Sequence, residues 1–314
     1  MQDLEKIRLL LTGAFSYTQE QLDKLENSGF GITFIQDERV ETDIDCSQFE
    51  AVVCNGLFLY NDIEKFKSLK MIQVTSAGLD RLPLDFIKEK GITLKNARGV
   101  YSIPMAEWCI SRILDIYKCS SFFEENQRNK VWQKNRGLRE LNGKKAVIFG
   151  AGDVGSRTAE RLKAFGVKIT AADIAEPQSD IYDKYCNMED INIALSESDI
   201  IIITLPLTDD TRGFFDEKKL GLLKADSILV NMSRGGIIDE KALVSALKNK
   251  TLGYAVLDVF EEEPLDADSP LWNTPRLLIT PHNSFVSEKN NERMFDVIYK
   301  NLNEYFCDTS KSVS

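Results

Sequence analysis

The sequence predicts an α/β protein of two domains, each built on a doubly wound parallel sheet, with a ligand-binding cleft between them. The chain of 314 residues is longer than one hydrophobic core usually fills, which indicates two domains. Short apolar runs alternate with amphipathic helical patterns, and this alternation is typical of parallel sheets. Many of the runs are apolar throughout, as expected of strands that helices cover on both faces.

The first part of the chain contains apolar runs of strand length, bounded by glycine, asparagine or charged residues. In order they are IRLLLTG, GITFIQ, AVVCNG, MIQVTSA and GITLKNA. An amphipathic segment, TQEQLDKLENSG, separates the first two runs, with Leu22 and Leu25 on one face and Gly29 as its stop. These elements predict a first domain that begins at residue 1 and ends at residue 97.

A second alternating series follows a long helical stretch, IPMAEWCISRILDIYKCSSFFEENQRNKVW. Its predicted strands are KAVIFG, VKITAAD, DIIIITL, SILVNM, YAVLDVF and LLITP. The last helix, SEKNNERMFDVIYKNLNEYF, has apolar residues at helical spacing, and we expect it to pack on the first domain. The predicted domains are therefore residues 1–97 plus 287–314, and residues 98–286.

The composition of the chain disfavours several classes of binding partner. The net charge is −10 and no basic run stands out, which disfavours nucleic acid and acidic membrane surfaces. No run has the length of a membrane span, and the apolar run near the start is too short for a signal peptide. With six cysteines, no C-x-x-C pair and one histidine, we predict no metal site, no required disulfide and a cytoplasmic protein.

A glycine-rich loop joins the strand KAVIFG to the helix after it. Gly150, Gly152 and Gly155 have the spacing G-x-G-x-x-G. In this setting Gly150 permits a tight turn, Gly152 lets the backbone approach a pyrophosphate, and Gly155 lets helix and strand pack closely. A tight turn without a ligand is the alternative interpretation.

The next strand ends at Asp173, which selects between the two nicotinamide dinucleotides. A carboxylate at this point accepts hydrogen bonds from a ribose 2′-OH and repels a 2′-phosphate. The residues that follow, IAEPQ, contain no Arg or Lys to hold such a phosphate. The loop and Asp173 therefore predict NAD as the cofactor, in preference to NADP.

Polar residues follow three later strands of this domain, at the edge where open α/β sheets bind ligands. They are Arg234, then Asp258 with the acidic run Glu261–Glu263 before Pro264, and then His282. Each has a structural alternative, such as a surface ion pair, a solvated turn or a buried imidazole. Together they supply an anion-binding fork, a carboxylate and an acid–base group.

With these residues in place, the chain resembles the D-isomer-specific 2-hydroxyacid dehydrogenase family over essentially its whole length. The resemblance rests on LPLTDDTRGFF, NMSRGGIIDEKAL, GYAVLDVFEEEPL and TPHNSF, in the family's order. It implies a Rossmann-like NAD-binding domain at 98–286, a Rossmann-like substrate domain formed by the remaining residues, and a homodimer. The implied catalytic residues are Arg234, Glu263 and His282. The implied NAD contacts are the glycine loop with Asp153 and Val154, and Asp173, Leu205, Pro206, Met232, Ser233 and Asp258. The implied substrate contacts are Ala77, Gly78 and Arg234.

The resemblance also implies a reaction, the interconversion of a 2-oxo acid and a D-2-hydroxy acid. Arg234 would hold the substrate carboxylate and polarise the 2-oxo group while the nicotinamide delivers hydride to C2. His282 would donate the proton to the carbonyl oxygen, or remove it in reverse. Glu263 would orient the imidazole ring.

Two features depart from the family and leave alternatives open. Many members have a glycine soon after the histidine, where this chain has Ser284 and Phe285. The first-domain segments VVCNGLFLYND and MIQVTSAGLD contain no Arg or Lys, which disfavours 3-phosphoglycerate because a buried phosphate needs a cation. An apolar or small uncharged 2-oxo acid fits better, and Leu57–Tyr60 either line its site or pack a helix start.

Three other functions remain as alternatives. The first is an NAD-binding co-regulator with little turnover, the second is a phosphoglycerate dehydrogenase-type substrate, and the third is formate dehydrogenation. The formate branch typically has Gln where this chain has Glu263.

Overall fold

A computed structural model describes residues 6–306, and they form two compact α/β units. The first unit ends at Tyr101 and resumes at Ser287, whereas the second runs from Ser102 to Val286. The division therefore falls four residues after the boundary at 97 that the sequence suggested.

The first unit is built on a parallel sheet of five strands in the order β2-β1-β3-β4-β5. The strands are β1 (Ile7–Thr12), β2 (Phe30–Ile35), β3 (Ala51–Cys54), β4 (Met71–Val74) and β5 (Thr93–Lys95). Each corresponds to one of the predicted apolar runs. Helices α1 (Gln19–Asn27) and α2 (Leu84–Glu89) belong to the same unit, and 3-10 helices lie at Cys46–Gln48, Leu57–Leu59 and Ile63–Lys65.

Local sequence explains how this unit begins. Leu9, Leu10 and Leu11 are fully buried, because helices cover both faces of β1. Thr18 caps α1 through a reciprocal capping box with Gln21, which satisfies backbone donors at the first turn. Gly29 then ends the helix in the left-handed region, at φ 95°.

The second unit is built on a parallel sheet of seven strands in the order β12-β11-β10-β9-β6-β7-β8. It begins with α3 (Ser102–Tyr117) and α4 (Ser120–Arg128). The strands are β6 (Lys145–Phe149), β7 (Lys168–Asp173), β8 (Lys184–Asn187), β9 (Ile200–Ile203), β10 (Ile228–Asn231), β11 (Tyr254–Leu257) and β12 (Leu277–Ile279). The helices between them are α5 (Asp153–Ala164), α6 (Ile191–Glu197), α7 (Glu217–Leu220) and α8 (Glu240–Lys248), with 3-10 helices at Gly235–Ile237 and Pro270–Asn273.

The structure differs from the predicted elements of this unit in two details. The predicted helical stretch consists of two helices, because Cys119 adopts the left-handed conformation, at φ 52°, and breaks the helical path. Strand β8 was not predicted. Its four residues, KYCN, lie at the sheet edge and are half-buried or exposed, so they form no apolar run.

The C-terminal helix, α9 (Asn290–Phe306), belongs to the first unit. Its buried residues Met294, Phe295, Ile298 and Leu302 share one hydrophobic core with Leu9 and other residues of the sheet. The prediction that this helix packs on the first domain is confirmed. Within residues 6–306, no helix has both the length and the hydropathy that crossing a bilayer requires.

Candidate active site

The strand order of the second unit reverses at β6, with β9 on one side and β7 on the other. In open parallel sheets the connections leave such a reversal in opposite directions, and a crevice opens at the carboxyl ends of the strands. The glycine loop, Gly150–Gly155, follows β6 directly and therefore lies at this crevice.

The three glycines differ in what surrounds them. Gly150 has φ 95°, and a Cβ there would lie 2.8 Å from Oγ1 of Thr204. A Cβ on Gly155 would lie 2.0 Å from the carbonyl oxygen of Gly150, so the helix packs against the turn without room for a side chain. A Cβ on Gly152 would have no atom within 4 Å. The loop thus has two tightly packed glycines and one that faces open space, an arrangement that fits a pyrophosphate above Gly152.

Asp153 and Val154 form the first turn of α5. The carboxylate of Asp153 accepts a hydrogen bond from the Ser102 hydroxyl, and Val154 packs against the core of the second unit. A helix N-terminus presents unpaired N–H groups, which favour a phosphate.

Asp173 is the last residue of β7, and its carboxylate binds the backbone of the glycine loop. One of its carboxylate oxygens accepts from the N–H of Ala151 at 2.6 Å, and the other accepts from the N–H of Ile174 at 2.7 Å. A carboxylate has about four acceptor positions. Asp173 therefore keeps capacity for a ribose hydroxyl.

Thr204, which follows β9, is a structural residue of the loop that the sequence did not reveal. Its hydroxyl lies 3.0 Å from the carbonyl oxygen of Phe149 and 2.8 Å from that of Gly150. The next residues, Leu205 and Pro206, are respectively buried and exposed at this edge of the sheet.

Asn231, also missed, shapes the turn after β10. Its side-chain oxygen accepts from the N–H and the hydroxyl of Ser233, and its amide donates to the Arg234 carbonyl at 2.9 Å. Met232 and Ser233 are buried, whereas Nη1 of Arg234 donates to the Ser233 carbonyl at 2.8 Å. A Cβ on Gly235 would lie 1.9 Å from the Phe260 carbonyl carbon, so this turn packs on the backbone after β11.

His282 and Glu263 form the central pair of the site. Nδ1 of His282 lies 2.7 Å from Oε2 of Glu263, and the other carboxylate oxygen accepts from the Phe260 N–H at 3.0 Å. Glu263 is thereby held in place while it orients the ring. The His282 side chain is 42% exposed, and Nδ1 is the ring nitrogen that faces Glu263.

Asp258 is fully buried and holds the segment that carries His282. Its carboxylate accepts from the N–H groups of Asn283 and Ser284, at 2.8 and 2.9 Å, and from the Thr280 hydroxyl. Its backbone carbonyl accepts from the His282 N–H at 2.7 Å. These bonds hold His282 in the left-handed conformation, at φ 50°, which costs a non-glycine residue about 1–3 kcal/mol.

The loop after His282 accommodates Ser284 and Phe285, which stand where many family members have a glycine. Ser284 is buried over Asp258, and the Phe285 ring meets the His282 ring edge-on, with centroids 5.9 Å apart. The phenyl ring therefore covers one side of the imidazole.

The acidic run before Pro264 is fixed by Glu240 of α8. Its carboxylate accepts from the Glu261 N–H at 2.8 Å. Partial burial raises the pKa of the Glu240 carboxyl against the lowering effect of this hydrogen bond, and the charges of Glu261 and Glu262 add to the rise. Among the residues that the structure describes, no group of His, Cys, Asp or Glu is arranged to hold a metal ion.

Ala77 and Gly78 lie in the first unit, in the loop after β4. Their carbonyl oxygens accept from the Asn96 amide and the Ser76 hydroxyl, each at 2.8 Å. Between residues 6 and 306, their N–H groups donate to no protein acceptor. Two adjacent unoccupied N–H groups suit an anion such as a carboxylate.

The sequence and the fold of this chain are similar to those of known proteins. Residues 110–284 match the profile of the D-isomer specific 2-hydroxyacid dehydrogenase, NAD binding domain. The chain is 35% identical over 242 residues to a D-3-phosphoglycerate dehydrogenase of Methanocaldococcus jannaschii, an alignment that covers 76% of this chain and 46% of that protein. It is 34% identical over 242 residues to a glyoxylate reductase of Thermofilum pendens, covering 75% of this chain and 71% of that protein.

Solved structures give the same result. A D-isomer specific 2-hydroxyacid dehydrogenase family protein from Aeromonas salmonicida superposes with a TM-score of 0.79 at 28% identity, covering 97% of this chain and 96% of that chain. A glyoxylate reductase from Paecilomyes thermophila superposes with a TM-score of 0.82 at 25% identity, covering 95% of each chain.

The chain belongs to the D-isomer specific 2-hydroxyacid dehydrogenase family. Its second unit contains that family's NAD-binding domain, so the predicted cofactor class is confirmed. The predicted fold, two parallel-sheet α/β domains, is confirmed as well. The predicted enzyme class, an NAD-dependent oxidoreductase for 2-oxo and 2-hydroxy acids, is confirmed at the level of the family. The alignment with the Methanocaldococcus relative spans less than half of that protein's length.

Proposed function

We propose that the protein reduces a small 2-oxo acid to a D-2-hydroxy acid, with His282, Glu263 and Arg234 as its catalytic residues. The observation that carries the proposal is the His282–Glu263 pair, in which Nδ1 lies 2.7 Å from the carboxylate and the histidine side chain is 42% exposed. A carboxylate on one ring nitrogen fixes the ring so that the other nitrogen serves as the acid or base.

Each residue of the triplet has a separate task. His282 donates a proton from Nε2 to the carbonyl oxygen of the substrate, or accepts it when the reaction runs in reverse. Arg234 binds the substrate carboxylate through its guanidinium fork. Glu263 keeps the imidazole in the orientation that this proton transfer needs. Bound NADH supplies the hydride that C2 of the oxo acid receives.

We propose that the edge of the second unit holds NAD. The open space over Gly152 and the N-terminus of α5 fit the pyrophosphate, and Asp173 fits the ribose 2′-OH. The remaining proposed contacts are Gly150, Asp153, Val154, Gly155, Leu205, Pro206, Met232, Ser233 and Asp258. For Asp258 the contact would be indirect, because its carboxylate is buried under the His282 segment.

The substrate domain is, on this proposal, the first unit, where the N–H groups of Ala77 and Gly78 bind the substrate carboxylate. Glu38 supports a substrate with no second anionic group. Its buried carboxylate accepts from the N–H groups of Asn55 and Gly56, so the loop after β3 already contains a negative charge. That charge disfavours a phosphate. Glyoxylate and hydroxypyruvate meet this requirement, and 3-phosphohydroxypyruvate does not.

Leu57–Tyr60 divide between two environments in the same unit. Leu57 is fully buried in the core, and the Phe58 ring contacts Phe66 edge-on with centroids 5.3 Å apart. Leu59 and Tyr60 are at least half exposed. Leu57 and Phe58 therefore contribute to packing. Of the four residues, only Leu59 and Tyr60 are available to contact an apolar substrate.

The test is a panel of 2-oxo acids followed by NADH absorbance, with NADPH in a parallel series. We expect turnover with small uncharged side groups, a strong preference for NADH, and poor use of 3-phosphohydroxypyruvate. Tight NADH binding without turnover of any oxo acid would favour the co-regulator alternative. A preference for NADPH would contradict the role of Asp173.

We also propose a cytoplasmic homodimer. The support for the dimer is a series of exposed apolar side chains at and after α4 of the second unit, namely Phe123, Val131, Trp132 and Leu138. Trp132 is 99% exposed, which is unusual for the largest apolar side chain.

The support for the cytoplasm is that the described cysteines are all free, and a reducing compartment keeps them so. Light scattering and cell fractionation test the two statements.

A further inference from the structure

A pocket on the first unit has no role in the proposed reaction. It has a volume of about 420 Å³ and lies beside the end of β5 and the second half of α9. Small-molecule sites in proteins typically have volumes of roughly 300–1,000 Å³. Leu79, Leu94 and Val297 supply its apolar wall, and Lys95, Arg98 and Lys300 supply its charge.

The charge of this pocket is opposite to that of the protein. The chain has 49 acidic and 39 basic residues, yet the pocket is lined by cations and by no carboxylate. Within the described range, no carboxylate forms an ion pair with the side chain of Lys95 or Arg98. Lys300 has only a loose contact with Glu304, at 3.7 Å, between two side chains that are 70% and 51% exposed.

These features specify the chemistry of a ligand. An arginine fork and two ammonium groups bind a carboxylate or a phosphate, and the arginine adds directional hydrogen bonds. The adjacent apolar wall gains free energy when it covers a hydrocarbon group. We propose that the pocket binds a small organic anion with one carboxylate or phosphate and a short apolar body.

The pocket is connected to the loop that contains Ala77 and Gly78. Asn96 lines the pocket, and its side-chain amide donates to the Ala77 carbonyl at 2.8 Å. Leu79, also in the wall, directly follows Gly78. A ligand that displaces either side chain moves the loop, so its binding changes the KM for the 2-oxo acid more than kcat. This coupling rests on the proposed role of Ala77 and Gly78, whereas the binding itself does not.

Binding is tested by calorimetry on the full chain without NADH, with phenyl phosphate and phenylacetate as the two probes. Inorganic phosphate is the probe without an apolar body, and we expect it to bind more weakly than phenyl phosphate. The Lys95→Gln/Arg98→Gln variant should lose affinity for both organic probes by about tenfold or more, which corresponds to about 1.4 kcal/mol. Comparison of the two probes identifies the preferred anionic group.

Two control variants make the result specific. Lys67→Gln/Lys88→Gln removes the same charge from exposed positions elsewhere on the unit and should leave affinity within about twofold of wild type. Arg234→Gln removes the proposed carboxylate-binding residue of the active site, and probe binding should persist although turnover is lost. Absence of saturable binding to wild type, equal loss in the lysine control, or loss of binding in Arg234→Gln would each overturn the proposed site.

The coupling has its own measurement. With phenyl phosphate present, the KM of the wild type for glyoxylate should shift, and the shift should disappear in Lys95→Gln/Arg98→Gln. A probe that binds the pocket and leaves KM unchanged overturns the coupling. If no oxo acid is turned over at all, the proposed function fails while the binding measurement still decides the existence of the site.

Discussion

At the scale of single residues, the proposed chemistry depends on Nε2 of His282. Replacing it by alanine removes the proton donor and leaves the glycine loop untouched. General acid–base groups contribute about 10²- to 10⁴-fold to rate. We therefore expect His282→Ala to lower kcat by that factor and to keep NADH affinity near the wild-type value. Steady-state rates and a fluorescence titration with NADH check this, and near-normal turnover would remove His282 from the mechanism.

On the proposed mechanism, Glu263 acts through the imidazole of His282 and not directly on the substrate. Glu263→Gln keeps an oxygen for the Phe260 N–H but loses the charge facing His282. A hydrogen bond to a charged group contributes about 1.5–3 kcal/mol, so kcat should fall by about one to two orders of magnitude.

The double variant His282→Ala/Glu263→Gln separates positioning from folding. If Glu263 acts only through His282, the double variant should be no slower than His282→Ala alone. An additional loss in the double variant, together with a lower melting temperature, would mean that Glu263 mainly stabilises the turn.

At this scale the sequence indicates which residues are candidates for the reaction, because their order and spacing form recognisable motifs. It was not sufficient to predict the residues that hold them. Asn231 and Thr204 bind backbone atoms that the fold brings near, and nothing in their neighbourhood along the chain marks them. The burial of Asp258 likewise follows from tertiary contacts with residues 280–284.

At the scale of elements, the turn from β6 into α5 gives a matched pair of glycine variants. In Gly155→Ala the new methyl group would lie 2.0 Å from the Gly150 carbonyl oxygen, so helix and strand must separate. We expect a lower melting temperature and weaker NADH binding. In Gly152→Ala the methyl group meets open space, so stability should stay near wild type while NADH binding weakens. Equal stability of the two variants in thermal melts would contradict this account of the turn.

The start of β9 gives a prediction about acid stability. Partial burial alone would raise the pKa of the Asp199 carboxyl, but hydrogen bonds from the Lys145 N–H and the Lys224 ammonium outweigh it and hold that pKa below its ordinary value. A lowered folded-state pKa contributes stability above the unfolded-state pKa and loses it as pH falls.

Asp199→Asn should therefore lower the free energy of unfolding at neutral pH by about 1–3 kcal/mol. The difference from wild type should shrink as the pH falls below about 4, where the carboxyl of the unfolded chain becomes protonated. Urea unfolding at several pH values measures it. Asp210→Asn, which changes an exposed carboxylate, is the control, and a difference that persists unchanged at low pH would refute the assignment.

Helices and strands were predictable where the hydrophobic pattern of the sequence is clear. Strands β6, β9 and β10 are continuous apolar runs and lie where expected. Strand β8 was missed because an edge strand with exposed residues lacks that pattern. The break between α3 and α4 was missed because the residue that adopts the left-handed conformation there is Cys119 and not a glycine.

At the scale of the whole molecule, the proposed dimer rests on the exposed apolar side chains at and after α4, above all on Trp132. Trp132→Glu should convert the dimer to a monomer, since burial of an indole contributes several kcal/mol to an interface and a buried unpaired charge opposes it. Light scattering coupled to gel filtration measures the mass. Ile193→Glu, at another exposed apolar position of the second unit, should remain dimeric. A wild-type protein that is monomeric at micromolar concentration would contradict the proposal.

Asp258 has one further consequence, which concerns how freely the segment after His282 varies in evolution. The carboxylate of Asp258 accepts hydrogen bonds from the backbone N–H groups of Asn283 and Ser284. Every residue except proline has such a group. The backbone geometry of His282 is thus insulated from the identity of the side chain at position 283. Position 283 is therefore open to drift, whereas Phe285 contacts the imidazole ring itself, and a library randomised at 283 should yield many active enzymes.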